Sequence, residues 1–548
     1  MTPALAQEAP EGSPASQPPA LPPLAAPGDL PPGVPSSPTA PEVRLGRFFD
    51  VPFDGARPAN PGEAGPSRPY EIIPTLTARL FATDNAFPGS SRGRADFVTS
   101  IIPSLTVTAD SARIVGRATY SPTAVFHANS SGQNRVDHRF LGAGTISIVP
   151  GSVFLDLRGT ASVVPIGGGL TSDLPETFPR RDTAQNFVAS ASPYWIHRFG
   201  SLATSILGYS FTYATRQGDT ARLSPGALPF FRPSEFTAHT GFAALRTGED
   251  FGRLAVEARV RGTLFEGTGT LDNAHRALGI VETRYAVTRN VQVLAEGGYE
   301  DIAFNGTPRF RVSEPVWGVG VRLDPGPNTT IIARYRRRDG FNSPQLNARV
   351  GLGARTILFA RYEDRLQTQL VQTADLLETV SFDELGNPVD SRTGAPVPEI
   401  GGSGLLTQQN GLFRTRRGDA SLTYFLDRDT FTLTFRHEQR RVVALDPGTA
   451  AFSQESNSAG LIWTRALSDQ TSASAQFQYG RFSTPGIARD SDGYTFRATL
   501  RHRFNETLVG SIQYQLTNRS TSLAPFATQL NPSGSLQNAL IATLTKRF

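Results

Sequence analysis

The sequence predicts an all-β chain: a transmembrane antiparallel up-and-down β-barrel of about 22 strands (range 18–24), behind a Pro-rich disordered N-terminal segment. Three observations carry this. Runs of about ten to fifteen residues alternate apolar and polar side chains from Tyr70 to the last residue, Phe548, the period of a strand with one greasy and one wet face. The breaks between runs alternate short and long, as in a meander whose tight turns all lie at one end. No stretch of 18 apolar residues exists, which excludes a helical membrane protein.

Composition agrees. Of the 548 residues only 39% are hydrophobic and 18% charged, and the dense apolar runs that roughly two to four soluble domains would need are missing. Phe (35) and Tyr (13) are spread along the chain, which argues against disorder through most of it. With no cysteine there is neither a disulfide framework nor a thiolate metal site. The net charge of +5 is carried by Arg throughout, with a single Lys, Lys546. It is not clustered in one patch, so no nucleic acid partner is expected.

The elements follow in order. Ala4-Leu5-Ala6 before Gln7 has the small-x-small spacing of a secretory cleavage site, so residues 1–6 read as a signal-peptide remnant. Residues 7–43, dominated by Pro, Ala, Ser and Gly, read as an extended tether. Residues 44–69, with RFFDVPF and more Pro and Gly, form an irregular pre-barrel segment that could dock in a lumen. The barrel, 70–548, begins with strands at 70–83, 94–109, 112–128, 135–149, 152–166, 184–198 and 201–217. The next are 234–247, 252–267, 274–288, 291–304, 309–323, 329–338, 345–353 and 356–372, with the thinnest alternation at 345–353. The last are 412–426, 430–445, 452–467, 471–484, 492–504, 507–518 and 536–548.

Individual runs show the two faces. Leu254, Val256, Ala258, Val260 and Leu264 oppose Glu257, Arg259, Arg261 and Thr263; Leu508, Ile512, Tyr514 and Leu516 oppose Ser511, Gln513, Gln515 and Thr517. Short turns fall at 150–152, 199–201, 288–290, 427–429 and 504–506, and long loops at 167–183, 218–233, 521–534 and, longest, about 373–411. In hydrocarbon every backbone N–H and C=O needs an internal partner, so such a sheet must close on itself. The last strand then pairs with the first. Tyr194-Trp195, Phe199, Trp317, Phe425, Trp463, Phe504 and Phe548, near strand ends, are candidates for the interfacial girdles.

Leu540, Ala542, Leu544 and the terminal Phe548 resemble the C-terminal signal of Gram-negative outer-membrane proteins, with Lys546 departing from the apolar residue expected there. The resemblance implies the cell outer membrane as location and the barrel-insertion machinery as a partner of the last strand. Outer-membrane lipid and lipopolysaccharide would surround the chain. More narrowly, Asn134 to Val163 and Ala354 to Leu366 resemble the β-barrel porin 2 type. That implies association with an exopolysaccharide or exosortase system, a possible polysaccharide partner, and no catalytic residues or cofactor.

The charged candidates for the lumen are Arg158, Glu257, Arg259, Arg261, Glu282, Arg334, Arg336, Arg338, Arg436, Glu438, Arg440, Arg497, Arg501 and Arg503. Two readings stand: a lumen with some preference for anions, or Arg and carboxylates that pair across strands and solvate the interior. At about 4.8 Å between strands and about 40° of tilt, 22 strands enclose a cylinder roughly 44 Å across. Something should narrow it. Residues 373–411, where Glu378, Asp383, Glu384 and Asp390 could meet the Arg ladders, and 44–69 are the candidates; an external loop is the alternative.

The function expected is porin-like passage of hydrophilic solutes or polysaccharide, without catalysis. A non-conducting barrel that anchors a surface polysaccharide system is the alternative. A barrel hydrolase is a further one, although the seven histidines are scattered and no G-x-S-x-G elbow or H-E-x-x-H pair occurs. An energy-coupled receptor would carry a folded plug domain longer than the Pro-rich stretch before Tyr70.

Overall fold

The computed structural model describes residues 69–86, 94–167, 178–222, 227–326, 328–382, 388–390, 406–484, 489–521 and 535–548. The signal remnant, the tether, and the pre-barrel segment up to residue 68 lie outside the described residues, as do 168–177, 391–405 and 522–534 of the long loops.

Among the described residues the main sheet has 24 hydrogen-bonded segments, beside two small two-stranded sheets in the loops, and two of its strands are each interrupted once, which leaves 22 barrel strands. They begin with β1 Tyr70–Thr83, β2 Asp96–Asp110 and β3, the last in two pieces, Ile114–Tyr120 and Thr123–His127. The break falls at Ser121-Pro122, where Pro has no N–H to give to the ladder. Also in two pieces is β4, Arg135–Asp137 and Phe140–Val149. The next are β5 Val153–Pro165, β6 Thr183–Phe199, β7 Ala203–Gly218, β8 Ser234–Thr247, β9 Leu254–Gly267, β10 Ala274–Ala286 and β11 Val291–Phe304. Then come β12 Phe310–Gly326, β13 Thr329–Arg338, β14 Phe341–Gly351 and β15 Thr356–Gln367, followed by a helix, α1, Gln369–Glu378. The wall is completed by β16 Leu412–Phe425, β17 Asp429–Ala444, β18 Gln454–Ala466, β19 Thr471–Thr484, β20 Arg489–Arg503, β21 Leu508–Thr521 and β22 Ser535–Arg547.

Every strand pairs antiparallel with its neighbours in sequence, and β22 returns to β1, from Thr75 opposite Arg547 to Thr83 opposite Ala539. Closure leaves no free edge. The faces separate by parity. On β9, Val260 and Leu264 are 60% and 63% exposed while Glu257, Arg259 and Thr263, on the other parity, are buried. Leu157, Phe211, Leu461, Ile512 and Leu540 share the exposed outer face elsewhere, the surface that hydrocarbon covers in a membrane barrel.

Three expectations change. The first is the thin run at 345–353, which is a full strand from Phe341, because Asp339 (φ 56°) and Gly340 (φ 76°) make a two-residue turn with both residues left-handed. The second is the strand expected to continue to residue 372, which stops at Gln367 where Thr368 caps a helix. The third concerns the girdle. Trp195, Phe199, Trp317, Phe504 and Phe548 face outward, but Tyr194 points inward and packs with Ile196, Ile206, Phe242 and Phe154.

That inward cluster depends on Gly208. A Cβ there would overlap the Phe242 ring and lie 2.8 Å from Tyr194 Cβ. Gly208→Val is expected to cost about 1–3 kcal/mol through overpacking, read as a lower urea midpoint in detergent. An unchanged midpoint would mean that the rings yield without cost.

Candidate functional site

On several strands the inner wall pairs opposite charges along the strand. Residues two apart share a face, and opposite charges recur at that spacing: Asp156/Arg158 (2.9 Å), Glu257/Arg259 (3.4 Å), Glu282/Arg284 (2.6 Å) and Arg322/Asp324 (2.7 Å). The series continues with Arg361/Glu363 (2.7 Å), Arg417/Asp419 (2.7 Å) and Glu438/Arg440 (2.8 Å). Some carboxylates also reach across strands. Glu282 holds Arg334 at 3.0 Å and Arg259 at 3.5 Å, and Asp419 holds Arg436 at 2.8 Å. Of the remaining candidates, Arg336, Arg338, Arg497 and Arg501 lie on the same inward parity by register. Arg497 donates to Gln515 (3.2 Å), and Arg503, at the other end of its strand, donates to the turn carbonyl of Asp469 (3.0 Å).

Within this wall lies α1. Its N-cap is Thr368, whose hydroxyl accepts from the Val371 N–H at 3.2 Å. Leu370, Val371, Ala374 and Leu377 form one apolar stripe. They pack on inward side chains near the loop ends of the strands, Val188, Ala214, Phe236, Phe265, Ile302 and Phe304 among them. Arginines secure both ends. Arg158, itself clamped by Asp156, donates to the carbonyls of Leu377 (3.1 Å), in the last turn of the helix, and Val380 (2.6 Å), just beyond it. Arg216 donates to Gln369 Oε1 (2.9 Å) and the Gln409 carbonyl (3.3 Å). Arg261 pairs with Glu378 at 3.0 Å, and Arg365 lies 3.8 Å from Asp375.

The returning segment crosses to other strands. Thr407 accepts from Arg440 on β17 and Gln454 on β18, while the Gln408 N–H donates to Ile166 O beyond β5 (2.7 Å). Loops join over the same end. Thr307 and Leu445 exchange backbone hydrogen bonds at 3.0 Å, Asn410 N–H donates to Phe230 O (3.0 Å) and Ala450 N–H to Pro229 O (2.9 Å). The last links the β7–β8 loop to the β17–β18 loop, ten strands apart around a ring of 22. Between α1 and the wall remains a cavity of about 130 Å³, lined by Arg259, Arg261, Arg276, Glu363 and Asp375 among others. No group of three or more His, Asp or Glu side chains among the described residues could hold a metal ion.

Glu378 of the long loop therefore meets an Arg ladder; Asp383, Glu384 and the side chain of Asp390 lie outside the described residues. Parity reasoning missed Arg216, Arg365 and the inward Phe236, Phe265, Ile302 and Phe304. A signal for the apolar set was present. On β11 the inward parity changes from Glu296 and Glu300 to Ile302 and Phe304, while the outward parity changes from Tyr299 to Asp301. At the last strand Leu540 and Leu544 face outward, and the Phe548 N–H donates to Pro74 O at 3.0 Å.

Solved structures of similar chain course include the ferric-catecholate import receptor Fiu from K12 E. coli in its closed form, with TM-score 0.49, 9% identity, and 86% of this chain and 81% of that one covered. The siderophore receptor PirA from Acinetobacter baumannii has TM-score 0.48, 9% identity, and coverage of 87% and 80%. OccK2 of Pseudomonas aeruginosa has TM-score 0.33, 9% identity, and coverage of 87% and 98%. No family model matches the chain, and no curated protein matches it by sequence. The barrel class rests on the closed register and the two faces above.

Two outcomes follow for α1. Arg158→Met leaves Asp156 buried without its cation and removes two hydrogen bonds at the helix end, a loss of about 3–5 kcal/mol; amide exchange in 369–378 should rise while the barrel strands stay protected. Equal protection in both proteins would remove Arg158 as the anchor. Burial, with Glu378 adding to it, pushes the Asp375 carboxyl above its ordinary value. The docked helix thus favours the protonated acid, so docking is strongest below the usual Asp range and weakens as pH rises through the raised value. Asp375→Asn should flatten that pH dependence of exchange.

Proposed function

We propose that the chain is a porin-like pore of the outer membrane of a Gram-negative bacterium, passing hydrophilic solutes, and that α1 holds its lumen in a narrowed state. One observation carries the reading: a polar, ion-paired inner wall runs beneath an apolar outer belt, and the segment crossing that lumen is fastened by side chains instead of being part of the sheet. A wall of alternating Arg and carboxylate provides partners for water and polar solutes along its whole height. Polysaccharide is the larger cargo that a barrel of this width would admit once α1 is displaced.

A second reading is a non-conducting barrel that anchors or scaffolds a surface polysaccharide system. The loops that bond across the mouth, Thr307 to Leu445 and Pro229 to Ala450, favour it.

Planar-bilayer recording separates the two. The whole chain should give small or infrequent conductance steps, and removal of 369–405 should raise the step size several-fold. Silence from both proteins, each shown to be folded by heat-modifiable migration, would favour the anchor.

A further inference from the structure

The outer wall changes character in one register step. Across β16 to β19 the row Leu422–Leu433–Leu461–Phe477 and the next row, Ala420–Phe435–Ala459–Tyr479, are apolar or aromatic. The row above them is Gly418–His437–Asn457–Arg481. Beyond that, still on the outward parity, come Asp364, Arg416, Gln439 and Glu455, and then Arg414 opposite Arg441. These charged rows stand at the rim of the surface that hydrocarbon would cover. Their position is that of outer-leaflet head groups.

Arginine exceeds carboxylate there. Asp364 alone holds Arg414 (2.6 Å) and Arg416 (3.2 Å), and Glu455 accepts from Gln439 (3.1 Å). Arg414 is fully engaged, since it also lies over the Phe341 ring at 4.2 Å and donates to Asn342 O at 3.3 Å. Arg416 keeps 31% of its side chain exposed. Arg441 is exposed, makes no ion pair among the described residues, and faces Arg414 directly across the strand pair. Like charges directly opposite are unfavourable in a sheet. A bound anion would reverse that cost.

We infer that Arg416 and Arg441 form a clamp for the phosphate of a phosphorylated outer-leaflet lipid, with Asp364 and Gln439 orienting Arg416. The guanidinium fork suits a phosphate in two-point contact, and the aliphatic and aromatic rows just below would lie along its acyl chains. This rests on the barrel's membrane placement and not on conduction, so it can fail while the pore reading stands, and the reverse.

The test uses the whole chain in detergent, titrated with diphosphoryl lipid A, the same lipid stripped of phosphate, phosphatidylethanolamine and inorganic phosphate, with bound lipid counted by native mass spectrometry. Diphosphoryl lipid A is expected to be retained selectively, and the Arg416→Gln/Arg441→Gln double variant to lose about tenfold or more in affinity. Equal retention of the stripped lipid, or undiminished binding by a folded double variant, would overturn the inference. Complete displacement by millimolar inorganic phosphate would also overturn it, since the site would then serve a free anion. Should the double variant fail to fold, Arg441→Gln alone gives the answer, because Arg441 supports no other described contact by ion pairing.

Discussion

The structure depends on one constraint: in hydrocarbon an unpaired peptide group costs several kcal/mol, so a spanning sheet must end where it began. The pairing of β22 with β1 meets that constraint, and most other features follow from it. β22 lies along β1 because β1 needs a partner from Thr75 to Thr83. The turns at one end are short because neighbouring strands must pair over nearly their full lengths. With hydrocarbon outside and a lumen within, one parity is greasy and the other wet.

Closure at this strand number creates a second problem. A ring of 22 strands is about 44 Å wide, and an unfilled lumen of that size would be a hole in the barrier. The chain resolves this by spending inward side chains on packing. Phe236, Phe265, Ile302 and Phe304 occupy positions that parity would assign to water, and they receive the apolar stripe of α1. The same arginines that could solvate a lumen tie the helix down: Arg158 through carbonyls at its C-terminal end and Arg216 through the Gln369 side chain at its start. Polar wall and plug are one system of contacts.

What could be read from the sequence was whatever a single strand expresses about its own two faces. Strand number, order and the Asp156/Arg158 or Glu438/Arg440 spacing are local properties, written within a few residues of each other. What escaped was relational. QLVQTADLLE looks like a continuation of the alternation before it, and only the Thr368 cap, together with an inner wall that had turned apolar, makes it a helix. Tyr194 carried the same ambiguity: an aromatic near a strand end suits an interface, yet Gly208 opens a space for it on the inside. Parity states which face a residue occupies, not what lies opposite.

The two kinds of contact also differ in how they can be undone. Each barrel strand is held by a ladder on both sides, so opening one exposes peptide groups along its length, and cooperativity should be high. By contrast, α1 is held by a stripe of four apolar side chains and a handful of guanidinium bonds. A segment attached in that way opens at a free energy well below that of the whole fold. The arrangement therefore separates a rigid wall from a releasable insert, with Asp375 and Glu378 placing two carboxylates on the insert itself, next to Arg365 and Arg261. Any agent that alters those charges acts on the insert first, because the wall's own pairs, within a strand as in Arg322 with Asp324 or across strands as in Asp419 with Arg436, do not involve Asp375 or Glu378.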